Sequence, residues 1–187
     1  MEAGAGILAA DLIKGASGFF RARRAAAAAR ALEKARKAAE SVAAAARAAA
    51  RARANELVQA ARARGDDVVV NIGGAGAKHE PANAINLNNQ AVARHGIPNL
   101  VEADGADIGE ILPEGKVDRI EGHNMAPGAV DWSRGASGAY RVLRPGGTFQ
   151  YYYRGANADA PALGQALRDA GFRDVQVVGD VLVKAVK

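Results

Sequence analysis

Glu121-Gly122-His123-Asn124-Met125-Ala126-Pro127 follows a short apolar run and carries side chains suited to proton transfer. An imidazole titrates near neutral pH, so His123 could act as general base toward an oxygen or nitrogen nucleophile. Asn124 could orient an amine by hydrogen bonding. The plainer alternative is that both satisfy backbone groups of a loop. His79 and Glu80 form a second polar pair, with His79 a candidate substrate contact and a solvated turn the alternative. In Tyr151-Tyr152-Tyr153, adjacent side chains must point to opposite faces of a strand. Tyr153, nearest the carboxyl end, could line a substrate pocket, with core packing as the alternative. Trp132, flanked by Asp131 and Arg134, reads as a lid or surface anchor rather than a core residue. His79, His95 and His123 lack the spacing of metal ligands, and no metal is expected.

Gly73-Gly74-Ala75-Gly76 supplies a different kind of chemistry. A turn without side chains lets a ligand approach the backbone, and in an open α/β sheet such turns sit at the carboxyl ends of strands. The run lacks the full G-x-G-x-x-G spacing and the Lys-Ser/Thr of a phosphate loop. By itself it is equally readable as a tight turn.

The elements that would position these residues occupy one part of the chain. Of 187 residues, 49% are apolar and none is cysteine, which excludes disulfides, thiolate metal sites and a cysteine nucleophile. Residues 25–54 contain 18 alanines, and residues 1–64 carry 13 Lys/Arg against 5 Asp/Glu. Residues 65–187 carry 12 against 15, so the net charge of +5 belongs to the first segment. Residues 20–64 contain neither proline nor glycine and predict a helix stopped by Gly65, with Glu33 and Lys37 as an i,i+4 pair and Glu40 unpartnered. Leu32 and Val42 do not sustain a heptad, which argues against a long coiled coil. The helix reads as a connector, as a packing surface for a protein partner or the rest of a larger chain, or as a basic arm for nucleic acid or an anionic membrane. The absence of interleaved aromatics disfavours single-strand stacking. No apolar run reaches the roughly 20 residues of a transmembrane helix, and a cytoplasmic location is expected.

From residue 66 apolar runs alternate with helical patterns: strands at 67–72, 84–87, 100–103, 117–121 and 148–153, helices at 88–95, 137–143 and 161–170, then a terminal strand pair at 175–178 and 181–186. This order predicts an open, mostly parallel sheet with an antiparallel edge. The expected division is a helical segment, 1–64, and an α/β domain, 65–187.

Val69-Val70-Asn71-Ile72-Gly73-Gly74-Ala75-Gly76 resembles motif I of class I S-adenosylmethionine (SAM)-dependent methyltransferases. Arg141-Val142-Leu143-Arg144-Pro145-Gly146-Gly147 looks like that family's RVLxPGG segment, and Ala170-Gly171-Phe172 like its step into the sixth strand. The resemblance implies a Rossmann-like fold and SAM as cofactor, held around Asn71, Gly73, Gly74, Gly76, Asn86, Asp104 and Gly105. It implies an acid contacting the adenine amine at Asp104. Asn71 and Asn86 stand where the family usually has acids, the second holding the ribose hydroxyls. An amide accepts hydrogen bonds less strongly than a carboxylate, which weakens the expected grip. The short interval between Gly76 and Asn86 implies a shortened crossover helix.

SAM-dependent methyl transfer to an unidentified substrate is therefore the leading expectation. A second reading is a repurposed fold without methyl transfer. A compact domain behind an Ala/Arg-rich helix also resembles, in architecture, the tip of a bacterial polymorphic toxin, which would act in a target cell's cytoplasm. In a third reading the basic helix binds nucleic acid.

Overall fold

The computed structural model describes residues 5–73, 83–89, 96–126, 128–153, 159–179 and 181–187, with the backbone alone for 5–22 and Asn124. Helix α1 covers Ala5–Arg64. By packing the chain forms two units, Met1–Ala45 and Ala46–Lys187.

In the first unit the described residues are helical, and Leu32 and Val42 are exposed. Arg36 reaches Glu33 at 2.9 Å and Glu40 at 2.8 Å, and Lys37 reaches Glu33 at 3.5 Å. Glu40 thus has a partner one turn before it, not after it as the forward i,i+4 pattern requires. Such exposed pairs contribute little in water.

The second unit starts inside the helix, at Ala46 rather than at residue 65. Ala50, Ala54, Val58 and Ala61 recur at helical spacing, are buried, and belong to the same core as Val70, Ile72 and Leu87. Small side chains bury little area each, but they let the helix approach closely. Arg47 and Arg51 reach the Glu110 carboxylate and carbonyl, and Arg62 reaches Asp118. Gly65, at φ +75°, ends the helix as a left-handed cap, with Asp66 N–H donating to Ala61 O at 3.0 Å.

Seven strands follow: β1 Val69–Ile72, β2 Ile85–Asn88, β3 Leu100–Glu102, β4 Val117–Met125, β5 Leu143–Tyr153, β6 Arg173–Val178 and β7 Leu182–Val186. Their order is β3-β2-β1-β4-β5-β7-β6. All pairs are parallel except β5–β7 and β6–β7. The open, mostly parallel Rossmann-like sheet with an antiparallel edge agrees with the sequence reading. Helices α2 Ile108–Ile111, α3 Trp132–Val142 and α4 Asp159–Asp169 complete the described elements, with a 3-10 turn at Gly105–Asp107. Neither α2 nor the 3-10 turn is in the sequence reading. Helix α3 starts earlier than residue 137 because Asp131 caps it, accepting from Ser133 N at 3.1 Å and Ser133 Oγ at 2.6 Å. Asn88 belongs to β2 rather than to a helix at 88–95, and the shortened crossover lies largely outside the described residues.

Alternation gives the sheet two unlike faces. One carries Leu87, Ile72, Tyr151 and Val183 in register, with Gly122 between Ile72 and Tyr151. A Cβ on Gly122 would stand 2.4 Å from the Tyr151 ring, so glycine is required there. Trp132 packs edge-on against Phe149 and Tyr151 at 5.1 Å on this face, and it is buried rather than a surface anchor. The helix cap explains the difference: starting α3 at Trp132 turns the indole inward. The other face carries a polar row across six strands: Asn86, Asn71, Glu121, Gln150, Lys184 and Gln176.

The RVLxPGG-like segment joins α3 directly to β5. Asp118 accepts from Val68 N at 2.7 Å and pairs with Arg62 at 2.9 Å and with Arg144. One buried carboxylate thereby ties α1, the entry to β1 and the start of β5. Burial pushes its pKa up, but the Arg144 bond, the Val68 N–H and the Arg62 charge more than offset this and hold it below the usual aspartate value.

Candidate functional site

Strand order reverses between β1 and β4, the place where open α/β sheets form a crevice at the strands' carboxyl ends. One cavity occurs there, and a second lies beside it. The smaller, about 190 Å³, is lined by Gly73, Asn88, Asp104, Gly105, Met125 and Val130 among others. The larger, about 400 Å³, lies between the amino ends of α3 and α4 over the end of β5. Ala129 and Val130 line both.

Local structure explains the smaller cavity. Gly73 follows β1 at φ +72°, and a Cβ there would meet Met125 Cε at 2.5 Å. Asp104 accepts from Ala106 N at 2.8 Å, opening the 3-10 turn. A Cβ on Gly105 would stand 2.8 Å from Ile72 Cγ2, so glycine lets that turn press against β1.

Of the residues expected to hold a cofactor, Gly73, Asp104 and Gly105 come together in this cavity. Gly74, Gly76 and the candidate substrate contact His79 lie outside the described residues. Asn71 and Asn86 are fully or nearly buried in mid-strand and are not among the cavity's lining residues. Asn71 Nδ2 donates to Asn86 Oδ1 at 2.9 Å, and Asn86 Nδ2 donates to Pro98 O at 2.8 Å. Asn71 Oδ1 has no partner among the described residues. The residue that ends β2 and lines the cavity is Asn88, whose Oδ1 accepts from Asn89 N at 2.9 Å. The signal for it is the alternation Ile85, Leu87: the strand runs two residues past Asn86, and its end carries Asn88.

His123 lines neither cavity. It lies on the polar face, with Nε2 3.2 Å from Glu121 Oε2 and its ring stacked on Tyr152 at 4.9 Å. The backbone of Asn124 lies in β4. Tyr153 lines the larger cavity with Tyr151, Trp132, Asp131, Asp159 and Leu163. Burial, with a contribution from the nearby Asp159 charge, pushes the Tyr153 phenol up to about 12, and burial raises that of Tyr151 further. Both are therefore protonated at neutral pH and can donate hydrogen bonds. Asp131 is held below the usual aspartate value by its bonds from Ser133.

No protein-family model matches the chain, and no curated protein matches it. Among solved structures, a SAM-dependent methyltransferase from Archaeoglobus fulgidus is similar over 71% of this chain and 94% of its own, at 14% identity and a TM-score of 0.49. A SAM-dependent methyltransferase from Thermotoga maritima is similar over 70% and 87%, at 17% identity and TM-score 0.49. One from Mesorhizobium loti is similar over 64% and 90%, at 18% identity and TM-score 0.44. The parallel sheet with β7 inserted antiparallel between β5 and β6 decides the architecture. The fold is class I methyltransferase-like.

A nucleoside needs acceptors for its amine and hydroxyls, and close backbone approach. Asp104 supplies a carboxylate, Asn88 an amide, and Gly73 and Gly105 the bare backbone, all in the lining of one cavity. The described residues fit a nucleoside.

Among the described residues, no His/Cys/Asp/Glu group could hold a metal ion, and no helix is long and apolar enough to cross a membrane. The arginines of the last part of α1 are engaged within the second unit: Arg47 and Arg51 at Glu110, Arg62 at Asp118 and Arg64 at Asp66.

Proposed function

We propose that this protein is a SAM-dependent methyltransferase acting on a small molecule. The observation that carries this reading is the convergence of Gly73, Asn88, Asp104 and Gly105 on one cavity at the strand-order reversal. SAM, when bound, supplies an electrophilic methyl group. The chain's own contribution is positioning. Asp104 accepts from the adenine amine, Asn88 bonds the ribose hydroxyls, and Met125 and Val130 give an apolar wall that excludes water. Holding two reactants in line is worth several orders of magnitude in rate without further chemistry. Ala129 and Val130 line both cavities, which supports a methyl acceptor bound in the larger one beside the cofactor.

Proton transfer has fewer candidates on this geometry than on the sequence. The cavity phenols are protonated, and His123 is bonded to Glu121 on the polar face. The reading thus favours an acceptor that attacks without strong base assistance. A thermal-denaturation series with SAM and S-adenosylhomocysteine tests the assignment. Each should raise the melting temperature in a concentration-dependent way, as any ligand of the native state must. No shift at millimolar ligand would remove the proposal.

A further inference from the structure

The described side chains of the first unit all belong to α1, and every residue from 23 to 45 is exposed. This stretch carries six Lys/Arg and two Asp/Glu. At about 100° per residue, Arg23, Arg30, Lys34 and Lys37 fall within about 60° of one another around the helix. At ~1.5 Å per residue their stripe runs about 21 Å, with neighbouring cations roughly 5–10 Å apart. Ser41 extends the same stripe by a turn. The two acids are held by Arg36, which lies off the stripe and reaches Glu33 at 2.9 Å and Glu40 at 2.8 Å. Lys37 reaches Glu33 at 3.5 Å, whereas Arg30 and Lys34 enter no ion pair among the described residues. The later arginines of α1 differ, since Arg47, Arg51 and Arg62 are engaged by Glu110 and Asp118.

We propose that this stripe docks on the phosphate backbone of duplex DNA without reading its sequence. A row of cations along a rigid helix meets a row of phosphates, and each neutralised phosphate releases condensed counterions, which drives binding. Phosphate contacts of this kind position a protein but carry no sequence information. Residues 65–187, with 12 Lys/Arg against 15 Asp/Glu, repel a polyanion and leave the helix as the part that attracts it. The side chains beside the stripe select the duplex. They are mostly alanine, so the helix is slim, and the major groove of B-DNA, about 12 Å wide, admits a helix. The deep, narrow major groove of duplex RNA does not. No aromatic residue occurs from 21 to 64, so a single strand finds no stacking platform there. An anionic membrane calls for a broad apolar face opposite the cations, where the described residues offer Leu32 and Val42 among alanines. This contact stands whether or not the second unit transfers methyl groups.

Fluorescence anisotropy of a short labelled DNA duplex, titrated with the full chain from about 50 to about 200 mM salt, measures affinity and its salt dependence together. Log affinity should fall against log salt with a slope of about −3, the value for three to four neutralised phosphates. Arg30→Gln combined with Lys34→Gln keeps good helix formers and removes two charges. The slope should shrink by about two and affinity at the lowest salt by about tenfold or more. Arg53→Gln combined with Lys116→Gln removes as much charge away from the stripe and should leave both unchanged. Circular dichroism checks that helicity is equal in the three proteins. No binding by the unaltered chain at the lowest salt, full binding by the stripe variant, or equal losses in both variants would overturn the proposal. Tighter binding to duplex RNA, to a single strand or to phosphatidylserine vesicles than to the DNA duplex would overturn it as well.

Discussion

Asn71 and Asn86 face each other across β1 and β2 and share a buried hydrogen bond of 2.9 Å. Two residues that the resemblance offers as cofactor contacts thus form an amide clasp inside the sheet, with Asn71 Oδ1 left without a partner among the described residues. Asn86 also donates to Pro98 O, which an aspartate could not do. Restoring the family's acid by Asn86→Asp should therefore lower stability, by about 1–3 kcal/mol for an unmade buried hydrogen bond. Urea denaturation checks this; an unchanged midpoint would mean that the clasp carries no stability.

Asn88→Asp should act in the opposite sense on binding. A carboxylate at the end of β2 would keep the acceptor for Asn89 N–H and offer stronger acceptors to two hydroxyls. S-adenosylhomocysteine affinity should rise about fivefold to tenfold. Equal affinities would show that Asn88 does not meet the ribose.

Gly109 and Gly138 bring α2 and α3 into backbone contact. A Cβ on Gly109 would lie 2.5 Å from Gly138 Cα, and one on Gly138 would lie 2.8 Å from Gly109 N. Gly138→Ala should cost about 1–3 kcal/mol, the range for overpacking, although alanine is the better helix former. A thermal melt with a raised midpoint would contradict this close crossing.

Asp118 sets a pH dependence. Its folded pKa is depressed, so its stabilising contribution is complete above the ordinary aspartate value, about 4. The contribution is lost as pH falls through the lower folded value. Stability of the unaltered chain should therefore drop in that acid window, and Asp118→Asn should flatten the drop while lowering stability at pH 7. Parallel pH profiles for the two proteins would contradict this assignment.

The sheet is legible in the sequence because its strands are short apolar runs closed by glycines, as at Val69–Ile72 before Gly73. The antiparallel edge is legible in the same way, from two valine-rich runs around Gly179. The packing of α1 is not, because an alanine stripe has almost no hydropathy contrast with an alanine surface. Ala54 is fully buried while Ala43 is exposed. The site is partly legible. Asp104 and Gly105 follow an unambiguous strand, whereas choosing between Asn86 and Asn88 needs the strand's last residue, the boundary that pattern alone places worst. His123 stands out by residue type, whereas only register shows that it lies on the polar face beside Glu121 and Tyr152.

In the proposed function, Asn88 and Asp104 hold a nucleoside at the strand-order reversal. Isothermal titration of S-adenosylhomocysteine into the full chain and into Asp104→Ala tests it most directly, with Asp104→Asn as the variant that can keep the cap on Ala106. One site per chain is expected in the unaltered protein, with affinity reduced about tenfold or more in Asp104→Ala and an intermediate loss in Asp104→Asn. Binding that is absent from the unaltered chain, or equal in all three proteins, would contradict it.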